Sequence, residues 1–371
     1  MRILFVNEVL GHTSTGKICA EQALKMQAEG NDVMVAYGRD DLVPDKYRNI
    51  AYRIGSDFSV KLHGVSTRLF DNHGFCSTSA TKAFLKWADT YNPDLLWLHN
   101  LHGYYINVEL LFSWIKNRPN MKVKWTLHDC WSFTGHCTHF DFVGCENWKT
   151  QCCDCPQKKK YPASLLFDQS KRNFERKKAA FTGVKDLSII TPSKWLAELV
   201  NQSFLKEYPV EVVYNTIDTT VFRPAISCFR EKHNIVDKKM VLAVSNAWHD
   251  PTKGLQDIYK LRKLLSEDYA IVVVGLNNEM LKTVPEGILG IAKTKNANEL
   301  AEIYSTADVF INPTYEDNYP TVNLEAEACG TRVITYASGG SPETIHLNES
   351  RVVNPGDIDS LVQLIVDEKE E

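Results

Sequence analysis

Short apolar runs recur along the chain, each followed by a stretch with the polar and apolar spacing of a helix. The runs are "RILFV", "DVMVAY", "DLLWLH", "VKWTL", "LSIIT" and "VEVVY", then "MVLAVS", "AIVVVG", "ADVFIN" and "TRVITY". They are apolar at nearly every position rather than at every second one, which predicts strands covered on both faces. Such strands alternating with helices make parallel sheets. The series pauses once. Between "VVYN" and "KKMVLAV", the stretch "TIDTTVFRPAISCFREKHNIVD" carries a proline and mixed polarity without a clear strand, and it reads as a linker. The pattern therefore predicts an α/β chain of two doubly wound parallel-sheet domains facing a deep cleft. The first spans 1–218, the linker 219–236 and the second 237–371.

A chain of 371 residues suits two domains, at roughly 150 residues each. Its net charge of -4 argues against general nucleic-acid binding. No apolar run approaches the length of a membrane span, and "MRILFVNEVLGH" predicts a strand rather than a signal peptide, so a cytoplasmic protein is expected.

Candidate chemistry gathers where predicted strands end. In "TYEDNYPTVNLEAEACGT", residues 314–331, Pro320 suits the first turn of a helix and Gly330 the position just past its end, so 320–329 predicts a short helix. Glu316, Asp317 and Asn318 then lie on a strand-to-helix loop, where open α/β sheets bind ligands. "GHTSTGKI", Gly11 to Ile18, matches the G-x-x-x-x-G-K part of a phosphate-binding loop but has Ile18 where a magnesium-holding Ser or Thr is required. What survives is a glycine-rich turn that brings helix N–H groups to an anion, or a tight turn with no ligand. Asn7 and Glu8, His99 and His102, and His128 with Asp129 also sit at strand ends, as candidate acids, bases or hydrogen-bond donors. In "SNAWHDPTKGL", Lys253 precedes Gly254 and presents a cation to phosphate. Set against the loop of 316–323, it would complete a pocket with carboxylates for hydroxyl groups and a lysine plus helix amides for phosphates, which describes a nucleotide-sugar site.

Taken together, "STGK", "LHNLHG", "HDCW", "TPSKW", "VVYNTID", "KGL", "ELAEIYSTADVFINPTYEDN" and "EAEACGTRVITYASGGSPE" resemble a family 4 retaining glycosyltransferase of the GT-B fold, of the bacterial type that builds capsule, O-antigen or exopolysaccharide. The resemblance covers nearly the whole chain. It implies transfer of a sugar from a nucleoside-diphosphate donor to a glycan or polyprenyl-linked acceptor. It also implies roles: Lys253 on the donor diphosphate with Gly16 beside it, and Glu325 on the ribose as second acid of an E-x7-E motif. The first acid is Asp317 by spacing or Glu316 by identity. His128 is expected to bond the transferred sugar near its reacting carbon. Asn246 stands near the place of the family's usual arginine, a departure that keeps open a catalytically idle binding or scaffold protein; a GT-B nucleotide-sugar epimerase is the other rival. Lys253 and the amides of Thr321 and Val322 would stabilise the leaving phosphates without a metal. The D-x-D at Asp357 and Asp359 reads as a helix cap.

Six of the ten cysteines fall between Cys130 and Cys155, in an excursion spanning 130–160. Disulfides do not suit a reducing cytosol. Cys152 and Cys155 form a C-x2-C pair, and Cys137 and Cys145 would complete a structural zinc site, with His136, His139 and Cys153 as rival ligands and packed free thiols as the alternative. After it, the basic "CPQKKKYPASLLFDQSKRNFERKKAAF" spaces Phe167, Phe174 and Phe181 seven apart. It is a candidate for peripheral contact with an anionic membrane; the plainer reading is a helix packed by its phenylalanines under solvated lysines.

Overall fold

In the computed structural model, which describes residues 1–40 and 42–367, the strands form two wholly parallel sheets. Residues 368–371, which close the span read as the second domain, lie outside the described residues. The chain divides into two units, Met1–Val213 and Tyr214–Glu371.

The first unit runs β1 (Arg2–Asn7), α1 (Thr13–Ala28), β2 (Asp32–Tyr37), β3 (Ala51–Arg53), α2 (Asp57–Phe70), α3 (Thr78–Tyr91), β4 (Leu95–Leu98), α4 (Val108–Lys116), β5 (Lys122–Thr126), α5 (Ser170–Phe181), β6 (Leu187–Thr191), α6 (Lys194–Gln202) and β7 (Val210–Val212). Its sheet order is β3-β2-β1-β4-β5-β6-β7. The order reverses between β1 and β4, so the loops after these two strands flank a crevice at the sheet's C-terminal edge. Both faces are covered: Leu4 and Val6 of β1 join one apolar cluster, Ile3 and Phe5 the other. That double burial is why these strands read as continuous apolar runs.

The second unit runs α7 (Phe229–Lys232), β8 (Lys239–Val244), α8 (Leu255–Leu264), β9 (Tyr269–Val274), α9 (Asn278–Thr283), β10 (Ile288–Ile291), α10 (Ala297–Ser305), β11 (Val309–Asn312), α11 (Thr321–Ala328), β12 (Val333–Tyr336), β13 (Arg351–Val353) and α12 (Ile358–Val366). Its order, β10-β9-β8-β11-β12-β13, reverses between β8 and β11. Again the faces differ, with Val241 and Ala243 packed on one side and Met240 and Leu242 on the other.

The predicted pair of doubly wound parallel sheets is what the chain forms. Three strands without a sequence signal, β3, β10 and β13, all lie at sheet edges. Edge strands are covered on fewer sides, and "AYR" and "RVV" have no run of buried positions to announce them. The stretch 219–236 lies inside the second unit, where Phe229 is buried and Arg230 bonds the Thr306 carbonyl and the Asp308 carboxylate. Phe174 and Phe181 of α5 are buried and Phe167 precedes the helix, so α5 is a packed helix of the core.

Candidate active site

The switch point of the second sheet collects the acidic loop and its lysine. β8 leads through a short turn, Pro251–Lys253, into α8, and β11 leads through 313–320 into α11. Asp250 caps the turn, its carboxylate accepting the Thr252 N–H at 3.0 Å. Gly254 follows at φ +77°, and a Cβ there would stand 2.1 Å from the Pro313 carbonyl oxygen. Only glycine lets the two loops touch. Tyr315 then donates its N–H to the Thr252 carbonyl at 2.7 Å and its hydroxyl to Asp257 at 2.5 Å. So clamped, the loop presents three acceptors to the Lys253 ammonium: Asp317 Oδ2 at 2.8 Å, the Glu316 carbonyl at 3.0 Å and Thr314 Oγ1 at 3.4 Å.

A second glycine holds the far side of the loop. Gly339, at φ +52°, leaves room for the Asp317 carbonyl, which a Cβ would meet at 1.9 Å, and Gly340 donates its N–H to that carbonyl at 3.2 Å. The loop ends at Pro320, which offers α11 no capping side chain, and the first turn of α11 carries no acid. The positive end of its dipole, with Thr321 and Val322, is thus left for an anion. Glu325 lies one turn further, half-buried, and accepts the Tyr304 hydroxyl at 3.1 Å. Glu316 is 7% exposed. The structure therefore brings Lys253, Glu316, Asp317, Thr321, Val322 and Glu325 to one strand-end region, as the loop-and-helix reading expected.

The first unit's switch point is built from histidines. His102, after β4, bonds Asp129 through Nε2 at 2.7 Å and Tyr161 through Nδ1 at 3.1 Å, with Glu8 at 3.8 Å. Burial works against charge on His102, but Asp129 and then Glu8 outweigh it and raise its pKa. Burial likewise works against the Asp129 carboxylate, which His102 and the Trp131 N–H nonetheless hold down at about 2. Glu8 is raised, chiefly by burial. Beside this charged group lies a neutral one. His99 Nδ1 and His128 Nε2 share a hydrogen bond of 3.0 Å, and burial lowers His128 to about 4 and His99 well below its ordinary value. His99 Nε2 and His73 Nδ1 are buried without a hydrogen-bond partner among the described residues. Imidazoles held neutral next to a histidine–carboxylate pair present both donors and acceptors at this strand end.

Other residues singled out in the sequence fall elsewhere. Gly16 lies inside α1, not on a turn; a Cβ there would press Val9 Cγ2 at 2.9 Å, so its bareness serves helix-on-strand packing. Asn246 is exposed on the loop after β8. Asp357 caps α12, accepting the Ser360 N–H at 3.0 Å. Cys137, Cys145, Cys152 and Cys155 line one small cavity as free thiols, but among the described residues no group of three or more His, Cys, Asp and Glu side chains is arranged to hold a metal ion. Tyr161 and His73 carried no signal in the sequence, because each reaches the histidine cluster from a loop remote in the chain.

Comparison with known proteins bears on both units. Residues 227–367 match the family Glycosyl transferases group 1. WcaC of Escherichia coli (strain K12), assigned to colanic acid biosynthesis as a glycosyl transferase, is 26% identical over 283 residues, 74% of this chain and 67% of its own length. The N,N'-diacetylbacillosaminyl-diphospho-undecaprenol alpha-1,3-N-acetylgalactosaminyltransferase of Campylobacter jejuni is 28% identical over 123 residues, 32% of this chain and 31% of its own length. Among solved structures, sucrose-phosphate synthase from Thermosynechococcus elongatus matches with a TM-score of 0.70 at 16% identity, over 98% of this chain and 88% of that one. Anabaena HepE in complex with UDP matches at 0.65 and 14% identity, over 98% of this chain and 89% of that one. At such identities the structural likeness is one of fold. The fold is GT-B, and most of its C-terminal unit, residues 227–367, is what matches the group 1 family.

Proposed function

We propose that this GT-B glycosyltransferase moves a sugar from a nucleoside-diphosphate donor, with retention, to a glycan or polyprenyl-linked acceptor in surface-polysaccharide synthesis. The observation that carries the reading is Lys253 held on Asp317 beside an uncapped, acid-free helix N-terminus. A partly exposed ion pair is worth about 1 kcal/mol or less, so a diphosphate that also reaches the amides of Thr321 and Val322 displaces it readily. Asp317 and Glu316 then serve the sugar's hydroxyls, Glu325 the ribose, and His128, neutral at pH 7, bonds the transferred sugar. Charge on the leaving diphosphate is met by lysine and backbone, and the reading requires no metal. UDP in the HepE complex and the undecaprenol-linked acceptor in the Campylobacter enzyme's name support the two substrate classes.

A panel of nucleoside-diphosphate sugars screened by thermal shift tests the donor: at least one should raise the melting temperature, and more than its free sugar does. Labelled donor incubated without acceptor separates the rivals. Epimerised sugar would replace transfer by epimerisation; tight binding with hydrolysis only at the background rate would make the protein an idle binder.

The four cysteines are proposed as a closed structural zinc site outside the chemistry. Their thiols line one cavity, and the Gly135 N–H points at Cys152 Sγ, 3.2 Å away, a contact that opposes in part the burial that pushes this thiol up to about 12. These side chains would have to rearrange to take an ion. Elemental analysis of protein purified without a metal-affinity step should find about one zinc per chain, lowered by Cys152→Ser. Stable, active, zinc-free protein would leave the cluster as reduced thiols.

A further inference from the structure

The residues that α2 buries most deeply are polar, while several of its apolar side chains face outward. His63 and Thr67 are 1% and 0% exposed, whereas Phe58, Leu62 and Val65, four and three residues apart, are 76%, 59% and 53% exposed. The buried pair is satisfied. His63 meets Ser77 Oγ at 2.8 Å and accepts the Gly74 N–H at 3.1 Å, and Thr67 donates to the His63 carbonyl at 3.0 Å. Turning the helix over to hide its apolar face would strip His63 of both its partners outside the helix and leave the Gly74 N–H unpaired.

The apolar face continues onto the neighbouring loop. Leu165 donates its N–H to the Arg68 carbonyl at 2.7 Å, Phe167 stacks on Phe70 at 6.0 Å, and Leu165 and Leu166 are 65% and 62% exposed. Exposed apolar side chains joined in this way mark a contact surface. The charges around them have one sign. Segments 57–70 and 156–169 hold five lysines and arginines against two acids, in a chain whose net charge is -4. Of the acids, Asp57 is paired with Arg53, and Asp168 accepts the backbone N–H groups of Cys155 and Ser170. Lysine is depleted in protein–protein interfaces, whereas lysine around exposed Leu and Phe is the composition of a surface that lies on lipid.

We propose that this face docks the chain on an anionic membrane, with Phe58, Leu62 and Leu166 entering the acyl boundary and Lys61, Arg68 and the lysines of 158–160 meeting the phosphates. It relocates the membrane contact expected of the basic segment: the helix α5 takes no part, and the loop before it does. It also sets the His102 cluster at the rim of the docked face, because Tyr161, four residues before Leu165, is 41% exposed while its hydroxyl meets His102.

Vesicle flotation tests the proposal without any assay of transfer, so its failure is distinct from failure of the catalytic reading. The full chain should float with vesicles of phosphatidylcholine and phosphatidylglycerol and far less with phosphatidylcholine alone. Leu62→Ser/Leu166→Ser, at exposed positions, should keep the melting temperature and lower partition at least about tenfold. Lys61→Gln/Arg68→Gln, which leaves the lysines of 158–160 in place, should reduce the preference for anionic vesicles. No binding by the unaltered chain, or undiminished binding by the serine variant, would overturn the proposal. So would a concentration-dependent dimer that the serine variant dissolves, which would make the face an interface between copies.

Discussion

Each sheet has a lysine beside a glycine in the segment that follows a strand at its switch point, β1 in one unit and β8 in the other, and the two pairs are built for different ends. In the first, Gly16 lies within α1 pressed on Val9, and Lys17 is exposed. In the second, Gly254 admits the Pro313 carbonyl, and Lys253 is gripped by three oxygens of the 314–317 loop. As a string of letters the first pair is the better phosphate motif. What separates them is the segment that each missing Cβ lets approach: a valine side chain in one, an acid-bearing loop in the other.

Substitution should widen that contrast. Lys253→Ala should lower kcat/KM by about two to three orders of magnitude, while stability changes by no more than about 1 kcal/mol, since its partner Asp317 is partly solvated. Steady-state kinetics with a thermal melt reads both, and unaltered turnover would remove Lys253 from the site. Glu325→Gln should weaken free nucleoside diphosphate by about tenfold in calorimetry, as expected for loss of a charged hydrogen-bond partner. An effect confined to sugar-bearing ligands would exchange the roles of Glu325 and Asp317.

In the first unit, charge is internal to the structure, so its test is stability against pH. Asp129 is held at about 2 against an ordinary 3.8, so its contribution is complete above about pH 4 and is lost as pH falls toward 2. His102 is raised above 6.5, so its contribution is complete below 6.5 and is lost as pH rises through the folded-state value. Asp129→Asn should cost about 1–3 kcal/mol near pH 5.5 and flatten both edges of the profile in denaturant titrations. The smallest effect expected is that of Lys17→Ala: a change within about 0.5 kcal/mol, hence about twofold in donor affinity. A large loss there would restore the phosphate-loop reading of "GHTSTGKI".

Most of this was legible because buried parallel strands announce themselves. The ten apolar runs are ten of the strands, and Glu316 and Asp317 sit on the strand-to-helix loop, with Glu325 on the helix, that Pro320 and Gly330 marked. Three of the four edge strands, β3, β10 and β13, were silent for want of burial. Gly16 misled because a glycine needed for packing and one needed for a ligand are the same letter. α2 was unreadable for a deeper reason: "DFSVKLHGVSTRLF" places apolar residues on more than one face, and only hydrogen bonds from Ser77 and Gly74, distant in the chain, make burial of His63 acceptable.

The ion pair of Lys253 with Asp317 also bears on selectivity. An anion that takes the lysine leaves the carboxylate beside it uncompensated, so a bare diphosphate exchanges one attraction for a new repulsion. A ligand that brings hydroxyl groups as well as phosphates satisfies both partners at once. The same loop would therefore favour an intact donor over its spent nucleotide and speed the departure of the latter, a kinetic bias that follows from a single 2.8 Å contact.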